Sequence, residues 1–392
     1  MIKISPLKAL FTAQFLSAFV DNMILFVVLA IIKRDVYPNY YLPLVQSAFL
    51  VSYILLSPWV GRFADSRPKS EVLIIGNLVK AGGGILLLAG GNPALSYAVV
   101  GLGAVIYSPA KYGILPFLTR NEHELLKANS GLESYTIAAI LTGSIAGGVL
   151  SDISITLALA ACFILYGVSI GVNTVIPKNP GKRGIRYHNA INEFYSDTTA
   201  LFSHAQSHYS LIGTGSFWMA SAVLRMAIFA WAPLVLAIDS GTSISLILAV
   251  TGIGIAVGAA LAPYLISIRD YQRTVWFGLA MGVCIFAFLT ISSLPAAIVL
   301  LLLIGVAGGI YIVPMNACLQ QIGHKTIGEG KTIAVQNFLE NSFMFAGVGA
   351  YTLATKSGVT LHTAIAATGL VFLLLVGYLF FYIGRTKRLF PR

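Results

Sequence analysis

The sequence predicts an all-α membrane protein with twelve transmembrane helices in two six-helix repeats. Three observations carry this. First, 57% of the 392 residues are apolar and only 10% are charged, against roughly 25% charged in an average soluble domain. The mean hydropathy is +0.84. Second, the apolar residues gather into runs long enough to cross a bilayer. Third, the Lys and Arg residues between those runs fall almost entirely on one side. A water-soluble globule of this size cannot bury so much apolar surface, so a soluble enzyme, a secreted disulfide scaffold and a disordered tail are excluded.

A helix needs about 20 apolar residues to span the hydrocarbon core. The first half supplies Leu10–Ile32, Pro43–Trp59, Val72–Gly90, Tyr97–Leu118, Ala128–Leu150 and Thr156–Ile176. The second half supplies Leu211–Leu236, Ile244–Ile268, Thr274–Ser292, Ala296–Gln321, Ala334–Ala354 and Thr363–Ile383. The run from Leu10 has no small-residue cleavage site after a short core, so it reads as a retained helix and not a removable signal peptide. Cys162, Cys284 and Cys318 lie far apart inside apolar runs, so neither a disulfide framework nor a CxxC metal site is visible.

The net charge of +11 would suggest nucleic acid in a soluble protein. Here it has a membrane explanation, because basic residues collect in cytoplasmic loops. With both termini cytoplasmic, 19 Lys and Arg residues fall on the cytoplasmic side and only Lys33, Arg34 and Lys356 on the other. No nucleic-acid partner is expected. Pro177–His208 is the one long polar connection. Its first part, to Arg186, is a basic Pro/Gly linker. From Tyr187 on, Ile191, Phe194, Thr198, Leu201, Phe202 and Ala205 recur at helical spacing, which predicts an interfacial helix on the cytoplasmic leaflet. The expected organisation is a six-helix bundle over 1–176, a cytoplasmic linker over 177–208 and a second six-helix bundle over 209–392.

The halves repeat. Gly101 to Tyr107 parallels Gly305 to Tyr311 at an offset of 204, Ser57-Pro58-Trp59 parallels Ala262-Pro263-Tyr264 at 205, and Leu132-Glu133 parallels Leu339-Glu340 at 207. Parallel six-helix repeats describe the major facilitator fold, with its site at the midplane between the halves. Pro109 and Pro314 are expected to break helices 4 and 10 at matching places, as hinges for alternating access. Gly143–Gly147, Gly167–Gly171, Gly254–Gly258 and Gly305–Gly309 are GxxxG pairs that permit close helix contact.

Charges at bilayer depth are costly and therefore functional candidates. Six stand out: Asp21, Lys80, Lys111, Glu133, Arg225 and Glu340. The bland alternative is that they pair and hold helices together, and for Lys80 local pairing or snorkelling is the simpler reading. Lys111 and Arg225 have the chemistry to hold a phosphate, Arg225 through a bidentate fork. Asp21 and Glu340 have the chemistry to hold an ammonium. A dipolar headgroup fits that set, with Asn22, Tyr107, Asn316 and Gln336 as polar neighbours on the same helices. Asp21 and Arg225 are equivalent in the repeat, so they are also candidates for a mutual pair. Glu133, close after Lys127, is a candidate gating residue together with Lys80, Pro109 and Pro314.

Between helices 2 and 3 lies Gly61-Arg-Phe-Ala-Asp65-Ser-Arg67-Pro-Lys69. The glycine permits a tight turn, Asp65 is placed to sit at the positive N-terminus of helix 3, and Arg67 and Lys69 face lipid phosphates. This loop resembles the G-x-x-x-D-x-x-x-[RK] signature of the major facilitator superfamily, with Ser66 where an Arg usually follows the Asp. Two other matches mislead. Gly330-Lys331-Thr332 looks like the tail of a phosphate loop, but Lys325 stands where its first Gly belongs. Ser108-Pro-Ala-Lys111 matches S-x-x-K without the companion motifs of acyl-serine enzymes. No catalytic constellation is read, and no metal site.

Longer stretches are more specific. Gln14 to Asn22, Tyr107 to Leu115, Lys127-Ala-Asn129 with Glu133, Phe217-Trp218 with Leu224-Arg225, Val313 to Gln320 and Ala334 to Asn341 are similar to the bacterial lysophospholipid transporters (LplT type) of that superfamily. The resemblance covers nearly the whole chain. It implies a flippase in a Gram-negative inner membrane that brings lysophosphatidylethanolamine and lysophosphatidylglycerol to the cytoplasmic leaflet. There an acyltransferase/acyl-carrier-protein synthetase restores the second chain. It also implies a protein that needs no cofactor, with Asp21, Lys111, Arg225 and Glu340 at the headgroup; a monomer among membrane lipids is the expected state. The alternative is a proton-coupled major facilitator exporter of drugs or small metabolites, for which Asp21 or Glu340 would be the titrating carboxylate.

Overall fold

The computed structural model describes residues 5–37, 41–181, 184–185, 187–238 and 241–389. Lys3, Lys182, Arg183, Arg186 and Arg392 of the basic set lie outside them. Among the described residues every regular element is helical. The first half holds α1 (Pro6–Arg34), α2 (Tyr41–Asp65), α3 (Lys69–Leu88), α4 (Pro93–Gly113), α5 (Leu115–Leu118), α6 (Glu122–Ile153) and α7 (Ile155–Asn173). After α8 (Ala190–Ser203) come α9 (Ala205–Leu236), α10 (Gly241–Leu265), a 3-10 turn (Ile268–Arg273), α11 (Thr274–Phe288), α12 (Leu294–Lys325), α13 (Glu329–Lys356) and α14 (Leu361–Leu389).

Leaving aside the short α5 and the linker helix α8, twelve helices remain among the described residues, matching the twelve apolar runs. Among the described residues nine spans are long and apolar enough to cross a membrane by length and composition. The other three runs are α2, α11 and α13. Helix α11 has only 15 residues, and α13 carries Gln336, Asn337, Glu340 and Asn341 inside its apolar stretch.

Local chemistry sets the helix starts. Asn92 caps α4, its side-chain oxygen accepting from the N–H groups of Ala94 (3.0 Å) and Leu95 (3.2 Å), with Pro93 at the first helical position. Ser154 caps α7 by accepting from the Leu157 N–H. Helix α3 is started by the linker, where Asn179 Oδ1 accepts from the Lys69 N–H at 2.7 Å.

The expected breaks at Pro109 and Pro314 do not occur. Helix α4 runs through Pro109 to Gly113, and α12 runs through Pro314 to Lys325. A proline removes one backbone hydrogen bond, and both helices continue past it within buried surroundings. Ser108, Pro109 and Ala110 are buried, as are all residues from Ile312 to Gln320. The interruption in the α4 region comes later, at Ile114.

The chain forms two compact units. One comprises Met1–Arg120, Tyr135–Thr199 and Gln320–Phe338; the other comprises Asn121–Ser134, Ala200–Leu319 and Leu339–Arg392. The first unit packs α1, α3, α4 and α7 around Val20, Ile24, Val27, Val100, Cys162 and Tyr166. In the second, Trp231 packs on Phe288 with ring centroids 4.5 Å apart, and α10 crosses α12 at backbone distance. That crossing is made by two of the expected glycine pairs. A Cβ on Gly258 would lie 2.1 Å from the Val306 carbonyl oxygen, and one on Gly305 would lie 2.3 Å from the Thr251 oxygen. Gly167 and Gly171 differ, because a Cβ at either meets nothing within 4 Å.

Helix α8 lies within the linker, and its buried face differs from the expected stripe. Ala190 and Leu201 are buried, Phe194 and Thr198 partly so, and Ile191 and Tyr195 are exposed. Phe194 packs edge-on against Phe338 at 5.4 Å.

The glycine crossing gives a direct test. Gly258→Ala should destabilise the purified protein by about 1–3 kcal/mol through overpacking, lowering the midpoint of a thermal-unfolding scan in detergent. Gly171→Ala should leave that midpoint unchanged or raise it slightly, since the helix gains propensity without a clash.

Candidate functional site

The polar interior of the first unit is built from pairs of residues one helical turn apart. Ser17 and Asp21 on α1, Asn77 and Lys80 on α3, and Tyr166 and Ser169 on α7 each point the same way, because residues three or four apart share a helix face. Lys80 is buried and its ammonium lies 2.6 Å from Asp21 Oδ2. The same ammonium donates to Ser17 Oγ at 2.8 Å and sits 4.6 Å above the centre of the Tyr107 ring. Ser17 donates to Asn77 Oδ1 (2.7 Å), Asn77 Nδ2 donates to Ser169 Oγ (2.9 Å), and Ser169 donates to the Ala13 carbonyl (2.9 Å). The Tyr166 hydroxyl donates to Asp21 Oδ1 at 2.8 Å. Thus the Asp21 carboxylate, proposed from sequence for an ammonium or for Arg225, is held on both oxygens within its own unit. Asn22 turns its amide onto the Ala18 carbonyl of its own helix.

Sequence reasoning singled out Asp21, Lys80 and Tyr107 here and missed Ser17, Asn77, Tyr166 and Ser169. The available signal was the spacing: each missed residue lies one turn from another polar residue in an otherwise apolar helix.

Other predicted residues sit as follows. Lys111 lies one turn beyond Tyr107 on α4, partly buried, with its ammonium 4.8 Å from the Tyr112 ring centre. Asn337 on α13 donates to Ser108 Oγ at 2.9 Å. Gln336 is buried in the same unit. In the second unit, Asn316 on α12 donates to Glu133 Oε1 at 3.3 Å, and both are buried, as is Glu340 on α13. Arg225 on α9 is exposed and makes no ion pair or hydrogen bond among the described residues. It continues a partly open stripe with Trp218, Ser221 and Ala222.

A second polar cluster joins the end of α2 to the starts of α3 and α13 within the first unit. Asp65 Oδ1 accepts from the Gly330 N–H at 2.8 Å, and Oδ2 accepts from the Lys331 N–H at 3.1 Å. Lys69 Nζ donates to Asp65 Oδ1 at 2.5 Å. The expectation that Asp65 sits at the N-terminus of α3 is therefore corrected: it occupies the N-terminus of α13, where unpaired N–H groups and the helix dipole favour an anion. The Gly330-Lys331 segment, which is no phosphate loop, binds a carboxylate of the same chain through its backbone. Gly61 and Gly330 make the approach possible, since a Cβ on either would come within 2.8 Å of the other's carbonyl oxygen.

Helix α8 adds two acids to this cluster. The Arg62 guanidinium, almost fully buried, lies 2.5 Å from Glu193, and Lys331 Nζ lies 3.0 Å from Asp197. Arg62 beside Glu193 holds that carboxyl below the usual carboxylate range, with Lys331 as a lesser influence. Glu193 and Asp197 are a four-residue acidic pair in a segment whose other notable charges are basic, a signal the sequence reading passed over. Arg67 rests on the Phe63 ring at 4.2 Å.

Because the Glu193 carboxyl is depressed, its contribution is present at neutral pH and is lost only as the pH falls through its lowered value. Glu193→Gln with Asp197→Asn removes both partners at once. Amide deuterium exchange in α8 should then quicken roughly tenfold, for a local loss of about 1–2 kcal/mol once solvent screening of these half-open acids is allowed for. Lys178→Ala, which breaks only an exposed pair with Glu71, should leave α8 exchange unchanged.

Comparisons with known proteins agree with this architecture. The family model of the Major Facilitator Superfamily matches residues 10–348. The lysophospholipid transporter LplT of Pectobacterium carotovorum is 43% identical over 357 residues, covering 90% of this chain and 88% of that protein. The LplT proteins of Yersinia enterocolitica (41%, covering 90% and 87%) and Escherichia coli K12 (43%, covering 90% and 89%) are similar to the same extent. Among solved structures, the human organic anion transporter MFSD10 superposes with a TM-score of 0.75 at 13% identity, covering 95% of this chain and all of that one. The Escherichia coli fucose:proton symporter FucP superposes with a TM-score of 0.74 at 12% identity, covering 97% and 99%. These structural likenesses speak for the fold. The chain is a multi-pass membrane transporter of the Major Facilitator Superfamily, and within it belongs to the family of the lysophospholipid transporter LplT.

Proposed function

We propose that this chain carries lysophospholipids across the inner membrane to the cytoplasmic leaflet, by alternating access of two six-helix halves, 1–176 and 209–392, joined by 177–208. The observation that carries this is the 43% identity to LplT proteins over 90% of the chain, combined with charged side chains of both signs on membrane-spanning helices. A lysophospholipid headgroup is a phosphodiester with a polar terminus. Lys111 and Arg225 supply the cationic contacts to the phosphate, with Arg225 offering a fork that matches two of its oxygens. Asn316, Gln336 and Glu340 receive the polar terminus, with Asn22 and Tyr107 beside Asp21. The chain performs transport and no bond chemistry. An acyltransferase/acyl-carrier-protein synthetase at the cytoplasmic face is the consuming partner, and both termini lie on that side, as the distribution of Lys and Arg supports. The Asp65 cluster, with Gly61 and Arg67, and the Glu133–Asn316 contact serve the conformational cycle, together with the helix segments around Pro109 and Pro314.

Arg225→Ala and Lys111→Ala should each cut uptake of labelled lysophosphatidylethanolamine by cells at least about tenfold, the worth of one charge-assisted contact, at unchanged membrane insertion. Arg225→Lys should recover little, because an ammonium cannot form the planar fork. Full uptake by both alanine variants would refute the phosphate role. Uptake that survives a protonophore separates this reading from a proton-coupled exporter, which would stop.

Impermeant maleimide applied from the periplasmic side of intact cells should leave a cysteine introduced at Tyr195, on the exposed face of α8, unlabelled. Labelling there would overturn the cytoplasmic placement of the linker.

A further inference from the structure

We infer that Lys80 sets the headgroup-charge preference of the transporter by neutralising Asp21 from its buried side. The inference rests on lysophospholipid transport as proposed above and adds a residue that selects among its substrates.

The side chain of Lys80 is surrounded by groups that accept from it or present electron density to it. Ser17 has committed its proton to Asn77, so toward Lys80 it only accepts. Asp21 Oδ2 accepts from Lys80, and the electron-rich face of Tyr107 lies on a further side. Two accepting oxygens, one of them a carboxylate's, and the π face of an aromatic ring are the surroundings that suit an ammonium. Asp21 in turn accepts on both oxygens, from Lys80 and Tyr166, and so is held as the carboxylate. The pair is asymmetric in exposure: the Lys80 side chain is 2% exposed and the Asp21 side chain 20%. What reaches the open side is therefore a carboxylate whose charge is already cancelled, with lone pairs left to accept a hydrogen bond.

The consequence concerns substrate charge. Lysophosphatidylethanolamine is zwitterionic, and lysophosphatidylglycerol carries a net negative charge. Both share the phosphodiester. A bare carboxylate at position 21 would attract the ammonium of the first and repel the second. A Lys80-neutralised carboxylate does neither strongly, while the exposed Arg225 on α9 favours the phosphate of both. Lys80 thus admits anionic headgroups without touching them.

The test is the ratio of lysophosphatidylglycerol to lysophosphatidylethanolamine influx, measured with the purified full chain in phosphatidylcholine vesicles. Lys80→Met should lower that ratio by about tenfold, the effect of one uncompensated charge about ten ångströms away at an effective dielectric of about 20. Asp21→Asn, which leaves Lys80 in excess, should raise it. The double variant should return it toward the wild-type value, and Lys80→Arg should leave it unchanged. A purely structural role for the pair would lower both fluxes together and leave the ratio alone. A ratio unmoved in both Lys80→Met and Asp21→Asn overturns the inference. Should Lys80→Met fail to insert, Asp21→Asn decides alone, since it keeps the volume of the site, and an unmoved or lowered ratio is then the refuting result. Wild-type protein that moves neither lysolipid overturns the transport reading itself, a distinguishable failure.

Discussion

A lysine buried among membrane helices must either lose its proton or find an anion, because stranding one member of a buried pair costs about 3–5 kcal/mol. Lys80 finds Asp21, and much of the first unit is arranged around that contact. Helices α1, α3 and α7 each present two polar residues one turn apart, so that Lys80, Ser17, Asn77 and Ser169 form a donor chain ending on a backbone carbonyl. The apolar core built on Val20, Ile24 and Cys162 surrounds this chain. Each member of that donor chain has its partners, and such a network fixes the relative positions of its helices. Arg225 stands in contrast: it is exposed on its helix, with no internal partner among the described residues.

The same logic operates at the other polar cluster with a backbone in place of a lysine. Asp65 meets the first N–H groups of α13 and the Lys69 ammonium, so one carboxylate satisfies a helix end and a charge together. Arg62 and Lys331 share the two acids of α8. The linker is therefore tied by charge to the ends of α2 and α13, and the glycines at 61 and 330 allow the approach. Breaking these contacts would leave Arg62 buried without its anion, so they are suited to make or break as a set and not singly.

Most of the helical architecture was legible because hydropathy is summed over many residues. The apolar runs follow from that pattern, and the glycine crossing of α10 with α12 follows from GxxxG spacing. What escaped depended on partners that sequence does not rank. The offset between Asp21 and Arg225 suggests one pair, while the cation that meets Asp21 is Lys80, in keeping with the local pairing expected of Lys80. Asp65 precedes α3 in sequence, yet the helix-end N–H groups it accepts from are those of α13. Pro109 and Pro314 read as breaks because propensity ignores the burial that carries a helix through a proline. Gly167 and Gly171 matched a packing motif but meet open space.

The central claim is a division of labour: Lys80 is committed to Asp21, and Arg225 is kept for the phosphate. Phosphorus–nitrogen dipolar recoupling by solid-state NMR tests it directly, using bound lysophosphatidylethanolamine and protein labelled with nitrogen-15 in its arginine or its lysine side chains. The account predicts that the headgroup phosphorus is dephased by a guanidinium signal that disappears in Arg225→Lys, and that removing Lys80 as Lys80→Met leaves the lysine-labelled dephasing as it was. Dephasing that vanishes with Lys80, or none that depends on Arg225, would contradict it.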